Sequence, residues 1–330
     1  MFHVGGGHIF GHPLRFDHSP DGPIVILTLA RAAVTSVEAV MAAWGDGLVF
    51  ATDFYVSGAE TWSEVPGGLA HLEHPVVNVD HHSPIPAMEM RISSTNLALQ
   101  RLAADLAPSP HSDAVVINHM DCDSVLASGV LDGRLEPNPI YGDSAIAADH
   151  TGQEDAIADL LQGLDAHWSR TSQPMPDPEG LEYFFESLNR SEQGLSLDAF
   201  AKEALGQRQR SRDRAERAVL EGRIEYDQGI AFGVLDEPIE GELLLTCLPE
   251  AALVCTMNPH PVAPERWQVK IRLGLAAQGG RSLHQLRIVG FDPAYGGRWN
   301  AGSNNRGGGT DLSPDEYIQR LLTELGQKWG

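Results

Sequence analysis

The stretch DAVVINHMDCDS (113–124) decides the architecture, because an apolar, β-branched run, AVVI, breaks directly into His119, Asp121 and Asp123. A short apolar run with a polar end reads as a strand buried on both faces. Two upstream stretches repeat the plan. GLVFATDF (47–54) ends on Asp53, and PVVNVDHH (75–82) ends on Asp80, His81 and His82. Between and around them lie helices. PIVILTLARAAVTSVEAVMAAW (23–44) reads as a strand and a helix. SSTNLALQRLAADL (93–106) reads as an amphipathic helix that Ser93 or Ser94 can cap, and SVLASGVLDG (124–133) as another helix. Apolar strands alternating with helices predict an α/β fold with a parallel sheet and flanking helices in the N-terminal part. In such sheets ligands bind beyond the carboxyl ends of the strands. The Asp and His residues ending these strands are therefore expected to meet in space.

Further along, 143–165 reads as helical, and 180–222 as one or two helices. SLDAFAKEALGQRQRSRDRAERAVLEG (196–222) has the charge of a solvated connecting helix. From 228 the texture changes. GIAFGVLD (229–236), GELLLTCLP (241–249), AALVCTMNP (251–259), WQVKIRLGL (267–275) and LHQLRIVGF (283–291) read as short strands. The glycine-rich loop YGGRWNAGSNNRGGGT (295–310) follows, and SPDEYIQRLLTELGQKW (313–329) closes as a helix capped at Ser313. The expected division is a catalytic domain over 1–195, a connecting helix over 196–227 and a smaller α/β substrate-binding domain over 228–330.

Bulk composition narrows the chemistry. The chain has 330 residues, 42% of them hydrophobic, and a formal net charge of −22. Such a surface repels long nucleic acids, whose binding requires Lys and Arg to neutralise phosphates. No apolar run is long enough to cross a bilayer. The N-terminus, MFHVGGGHIFGHP, lacks the basic and apolar segments of a signal peptide, so a cytoplasmic location is expected. Cys122, Cys247 and Cys255 form no CxxC pair, which argues against disulfides and a thiolate zinc site. Nitrogen and oxygen ligands remain, and these suit Mn²⁺ or Mg²⁺, with Co²⁺ an alternative.

Alternation along a strand end puts His119, Asp121 and Asp123 on one side. Asp123 has a second reading as a cap for the helix that follows. Asp80, His81 and His82 also read as a buried ion pair, and Asp143 as a helix N-cap. Asp149, ahead of His150 and Thr151, reads as a further ligand, and Asp53 as a bridging carboxylate. Two divalent ions about 3.5–4 Å apart would need this many ligands and would activate water for attack on phosphorus. A histidine, His81, His82 or His150, then serves as acid to the leaving alkoxide. In the C-terminal loop, Gly296, Gly297 and the glycines at 307–309 permit close backbone approach to an anion. Arg272, Arg298 and Arg306 offer bidentate contacts to phosphate, and Trp299 a surface for stacking a base. The histidines His3, His8, His12 and His18 read as an exposed or lid-like segment.

These motifs together resemble the DHH phosphoesterase superfamily. Asp80-His81-His82 after its apolar strand is similar to the naming motif, and SSTNLALQRL to the helix that follows it. HMDCDSVLAS resembles the family's His-x-Asp-x-Asp motif, and AIAADHTG its later metal-binding Asp, here Asp149. The last hundred or so residues, with VKIRL, GGRWNAG and a final helix, resemble the associated DHHA1 substrate-binding domain. The pattern departs from the family in two places. His-x-Asp-x-Asp follows the DHH motif instead of preceding it, and Arg298-Trp299 replaces a glycine-histidine pair. Family members of this length include nanoRNase/pAp phosphatases. The resemblance implies an Mn²⁺-dependent phosphoesterase, with two ions, acting on small nucleotides or very short oligonucleotides. A homodimer is compatible with the sequence. The competing readings are a phosphatase or pyrophosphatase of a non-nucleotide substrate, and a non-catalytic nucleotide-binding regulator with a degenerate metal site.

Overall fold

The computed structural model describes residues 25–29, 35–44, 47–82, 92–109, 112–171 and 178–329. The four N-terminal histidines lie outside these. The chain divides into two compact units, 1–148 with 154–208, and 149–153 with 209–330.

In the first unit the elements run β1 (Val25–Thr28), α1 (Val37–Ala43), β2 (Val49–Thr52), β3 (Ser63–Val65), β4 (Gly68–Ala70), β5 (Val76–Val79), α2 (Ser94–Ala103), β6 (Ala114–Ile117), α3 (Cys122–Leu131), α4 (Pro139–Ile146), α5 (Ala156–Thr171) and α6 (Pro178–Glu192). The strands form one sheet in the order β1-β6-β2-β5-β4-β3. β1, β6, β2 and β5 are mutually parallel, and the hairpin β3–β4 extends the sheet antiparallel to β5. Every residue of β2, β5 and β6 is buried, as the unbroken apolar runs require. Alternate residues serve opposite faces. Val49 and Ala51 join Val40 of α1 on one side, while Phe50, Val115 and Ile117 pack with Leu97 of α2 and Leu126 of α3 on the other. The hairpin β3–β4 was not foreseen, because SEVPGGLA is too short and too polar to show alternation.

Ser93, of the two serines proposed, is the N-cap of α2, and Asn96 completes a capping box. Asn138 caps α4, so Asp143 lies inside that helix, exposed, and is not its cap. The region read as helical over 143–165 contains a π-helical turn at Ala147–Thr151 between α4 and α5.

α7 (Ala199–Leu220) is long and charged, and the division between units falls inside it. Arg208 is not solvated as a connecting helix would have it. It is 3% exposed and pairs with Asp159 at 3.3 Å.

The second unit contains β7 (Glu225–Asp227), β8 (Ile230–Val234), α8 (Gly241–Cys247), β9 (Leu253–Pro259), β10 (Trp267–Leu273), β11 (Gly296–Gly297), β12 (Ala301–Ser303) and α9 (Pro314–Trp329). Its sheet runs β11-β12-β10-β9-β8-β7. Two expected strands take other forms. GELLLTC is helix α8, because β8 and β9 are parallel neighbours and need a crossover between them. LHQLRIVGF forms two 3₁₀ turns, Leu283–Gln285 and Ile288–Gly290, whose Leu283, Leu286 and Ile288 reach the core at irregular spacing. The sheet buries one face against Tyr317, Ile318 and Leu321 of α9, and the other against Leu243 and Leu244 of α8. The molecule is thus an α/β protein in which each unit has its own sheet. Among the described residues, no helix is long and apolar enough to cross a membrane.

Candidate metal centre

The carboxyl ends of β2, β5 and β6 are adjacent in the sheet, and their polar residues converge. Asp53 follows β2 in the left-handed region, with φ +61°. Few residue types tolerate this conformation, and Asp is among the best of them. Its amide still donates to Val79 O of β5 at 3.0 Å. The side chain is fully buried, and its two oxygens face different groups. Oδ2 lies 3.2 Å from His119 Nε2, yet it is buried and receives no well-formed hydrogen bond. Oδ1 accepts the Ser94 hydroxyl at 2.8 Å and lies 3.6 Å from His81 Nε2 and 3.8 Å from His82 Nδ1.

The first group is Asp53, His119 and Asp121. His119 Nε2 is 3.1 Å from Asp121 Oδ2, and its Nδ1 is 2.7 Å from Asn118 Oδ1. With Nδ1–H given to Asn118, Nε2 faces the two carboxylates, where it holds either a proton or, with its lone pair, a cation. Ligands at adjacent corners of an octahedral ion with bonds near 2.1 Å stand about 3 Å apart, and the observed 3.1 and 3.2 Å agree with that spacing. Asp121 is also the N-cap of α3, where its Oδ1 accepts Ser124 N at 3.1 Å.

The second group is Asp53, His81 and His82. His81 is fully buried, and its Nδ1 is 2.8 Å from Ile92 O. A carbonyl can only accept, so Nδ1 carries the proton and Nε2 presents its lone pair towards Asp53. His82 is 26% exposed, and its Nδ1 contacts Asp80 Oδ1 at 2.5 Å. Asp80 Oδ2 is buried without a hydrogen bond. Asp80 therefore orients His82.

Asp123 has a different setting from the one its spacing suggested. It does not cap the following helix, a task that falls to Asp121. Its oxygens accept Ser94 N at 2.7 Å, Thr95 N at 2.8 Å and Thr95 Oγ1 at 2.7 Å. The carboxylate thus sits on the N-terminus of α2, whose dipole and amides favour an anion. Oδ2 remains 3.5 Å from His81 Nε2.

The electrostatics are those of an anionic cluster in want of a counter-ion. Burial, then the charges of Asp123 and Asp121, push the Asp53 carboxyl well above its usual range. Burial would lower the His119 imidazole, but the carboxylates of Asp121, first, and Asp53 beside its Nε2 carry it well upward. Burial would likewise raise Asp80, but the charge and hydrogen bond of His82 hold it below the ordinary value. Buried carboxylates this close together bind either protons or cations. The orphan oxygen of Asp53, the all-nitrogen-and-oxygen donor set and the ligand spacing fit a divalent cation.

The remaining candidates belong to the second unit. Asp149 lies on the π-helical turn, and its carboxylate pairs with Arg298 at 2.9 Å. Its carbonyl accepts Arg272 at 2.8 Å, and Arg272 also pairs with Glu242 at 2.9 Å. His150 Nδ1 is 3.0 Å from Asn300 Nδ2. Gly152, at φ +67°, has no room for a Cβ, which would lie 1.9 Å from Glu242 O. Gly296 and Gly297 are the exposed strand β11, and Arg306 is exposed on a 3₁₀ turn.

Two expectations for the glycine-rich loop fail. Trp299 is 2% exposed within the core, so it offers no face to a base. The amides of Gly307, Gly308 and Gly309 donate to the carbonyls of Asn304 and Asn305, so none is turned outward to cradle an anion.

Sequence reading missed Ser94, Thr95 and Asn118 as site residues. The polar SST cluster before an apolar helix was visible, but it reads as capping chemistry alone.

No protein-family profile matches the chain, and no curated protein matches it. Among solved structures, a pGpG-specific phosphodiesterase, PggH from Vibrio cholerae, is similar at 11% identity and a TM-score of 0.45, covering 69% of this chain and 88% of that one. An exopolyphosphatase-related protein from Bacteroides fragilis is similar at 14% identity and a TM-score of 0.32, covering 67% and 61%. An uncharacterized protein from Helicobacter pylori matches at 10% identity and a TM-score of 0.23, covering 85% and 99%. At these levels the likenesses assign no chemistry, which rests on the side chains themselves.

Proposed function

We propose that the first unit is a divalent-cation-dependent phosphoesterase centre. The observation that carries this reading is the division of Asp53. One carboxylate oxygen faces His119 and Asp121, the other faces His81, and the residue is fully buried. A carboxylate so placed is suited to bridging two cations. His119, Asp121 and Asp53 would hold one, and His81 and Asp53 the other. Mn²⁺ is the ion we assign, from the mixed imidazole and carboxylate donors. Two such ions would supply a nucleophile from water at neutral pH and would neutralise phosphoryl oxygens.

The chain's own residues do the rest. Asp80 accepts the Nδ1–H of His82, so when the ring is doubly protonated its Nε2–H is the proton that can pass to a departing alkoxide, leaving the neutral Nδ1–H tautomer. Asp123 and the first turn of α2 hold the ligand-bearing strand ends in register. A small substrate is consistent with the net charge of −22, which disfavours polyanions. The substrate class we assign is a phosphate ester of a nucleotide or very short oligonucleotide. Arg306 is exposed and is our candidate for contact with substrate phosphate, whereas Arg272 and Arg298 are already paired with carboxylates.

The test is hydrolysis of short oligonucleotides, 3′-phosphoadenosine phosphate and generic phosphate esters with added Mn²⁺, by wild type and by Asp121→Ala. Activity that needs Mn²⁺ and disappears in the variant supports the centre. Turnover by Asp121→Ala at the wild-type rate rules it out.

A further inference from the structure

One serine links all three strand ends. The amide of Ser94 donates to Asp123 Oδ2 at 2.7 Å, after β6. Its hydroxyl accepts the amide of His81 at 3.4 Å, after β5, and donates to Asp53 Oδ1 at 2.8 Å, after β2. The direction of this relay is fixed. A backbone N–H can only donate, so the hydroxyl lone pair is engaged by His81 and its proton points at Asp53. Ser94 is fully buried, as are Asp53, His81 and Asp123. No water competes for these bonds, and a buried hydroxyl with both roles filled is rigid.

We infer that Ser94 is a positioning residue for the metal centre: its hydroxyl fixes the rotation of the Asp53 carboxylate, so that one oxygen faces His119 and Asp121 and the other faces His81. This rests on the reading of Asp53 as a bridging ligand. Residue type alone assigns Ser94 no more than the first turn of α2, and the cap of that helix is Ser93. The Ser94 hydroxyl is therefore spare for helix formation. Ala is a good helix former at that place, and replacing Ser94 by Ala leaves α2 capped. Outer-shell partners that hold a ligating carboxylate typically contribute about 10–100-fold to metal affinity. Because Asp53 serves both groups, the loss falls on both cations together.

The experiment is Mn²⁺ titration of metal-free full-length protein, read by electron paramagnetic resonance of free Mn²⁺, for wild type, Ser94→Ala and Ser94→Cys. Circular dichroism and Tm of the metal-free chains report folding. The expected result is two Mn²⁺ per wild-type chain and, in Ser94→Ala, a loss of affinity of about 10-fold or more at both steps, with helix content unchanged. Ser94→Cys keeps the volume but replaces a strong donor by a weak one, so it should bind Mn²⁺ nearly as poorly as Ser94→Ala. It decides the matter if the alanine variant fails to fold. Wild-type affinity in a folded Ser94 variant overturns the positioning role while leaving the centre intact. Absence of Mn²⁺ binding in wild type overturns the centre itself, and the role of Ser94 with it.

Discussion

Asp53 Oδ2 and His119 Nε2 stand 3.2 Å apart, although they are carried on the ends of different strands and 65 intervening residues separate them. The contact exists because β2 and β6 are parallel neighbours in register, Val49 opposite Ala114 and Ala51 opposite Val116. Both strands therefore end at the same sheet edge. Asp53→Asn keeps a side chain that tolerates φ +61° and leaves the fold intact, but it removes the charge. Mn²⁺ content should drop below one ion per chain. Hydrolysis should fall by more than the roughly 100-fold reached by outer-shell changes. Metal analysis after gel filtration, with initial rates, measures both.

The pH dependence of the metal-free protein follows from two upward shifts. Asp53 and His119 both hold protons more tightly folded than unfolded. The native state thus binds more protons than the unfolded state, and stability falls as pH rises. For His119 the stabilisation is complete below its unfolded value and is lost as pH passes its folded value. For Asp53 the penalty begins above its unfolded value. In the presence of EDTA, Tm should decline from about pH 5 to pH 8, and Asp53→Asn should flatten the slope. Mn²⁺ displaces the same protons, so its affinity should rise over that range. An EDTA-treated wild type whose Tm falls with pH no more steeply than that of Asp53→Asn would count against the protonated cluster.

Much of this centre could be read directly from the order of residues. The runs AVVI, VVNV and LVFAT are unbroken because the sheet is covered on both faces, and a polar residue ending such a run has only the sheet edge to occupy. That logic placed Asp53, Asp80, His81, His82, His119 and Asp121 together. It did not separate Asp123 from Asp121, since period-two spacing cannot tell a side chain facing the cluster from one turned onto the amides of α2. GELLLTC was misread because a short apolar run has no period that distinguishes a strand from a buried helix. Only the parallel pairing of β8 and β9 decides it. Trp299 was misread for another reason: its glycine neighbours suggested a surface loop, whereas the hairpin β11–β12 turns it inward.

Thr95 tests the anchoring of Asp123 separately from catalysis. Its hydroxyl donates to Asp123 Oδ1 at 2.7 Å in a fully buried setting. Thr95→Val preserves shape and removes a hydrogen bond to a charged acceptor, which is typically worth about 1.5–3 kcal/mol. Chemical denaturation should show a loss of that size with an unchanged m-value. A loss below about 0.5 kcal/mol, the range of ordinary surface substitutions, would mean that the two amides hold Asp123 without help.

His82 tests the chemistry of the leaving group. Its Nδ1 is engaged by Asp80, its ring is 26% exposed, and it borders the Asp53–His81 group. An acid matters only where the departing oxygen is a poor leaving group. His82→Gln should lower kcat about 10²–10⁴-fold for an alkyl phosphate ester, the usual worth of a positioned proton donor. The p-nitrophenyl ester expels a stable phenolate and should be spared most of that loss. Asp80→Asn should follow the same pattern more weakly, because the imidazole remains but loses its orienting anion. Mn²⁺ stoichiometry measured alongside separates this role from ligation. Equal losses on both esters with full metal content would show that His82 is not the acid, and a loss of metal would make it a ligand.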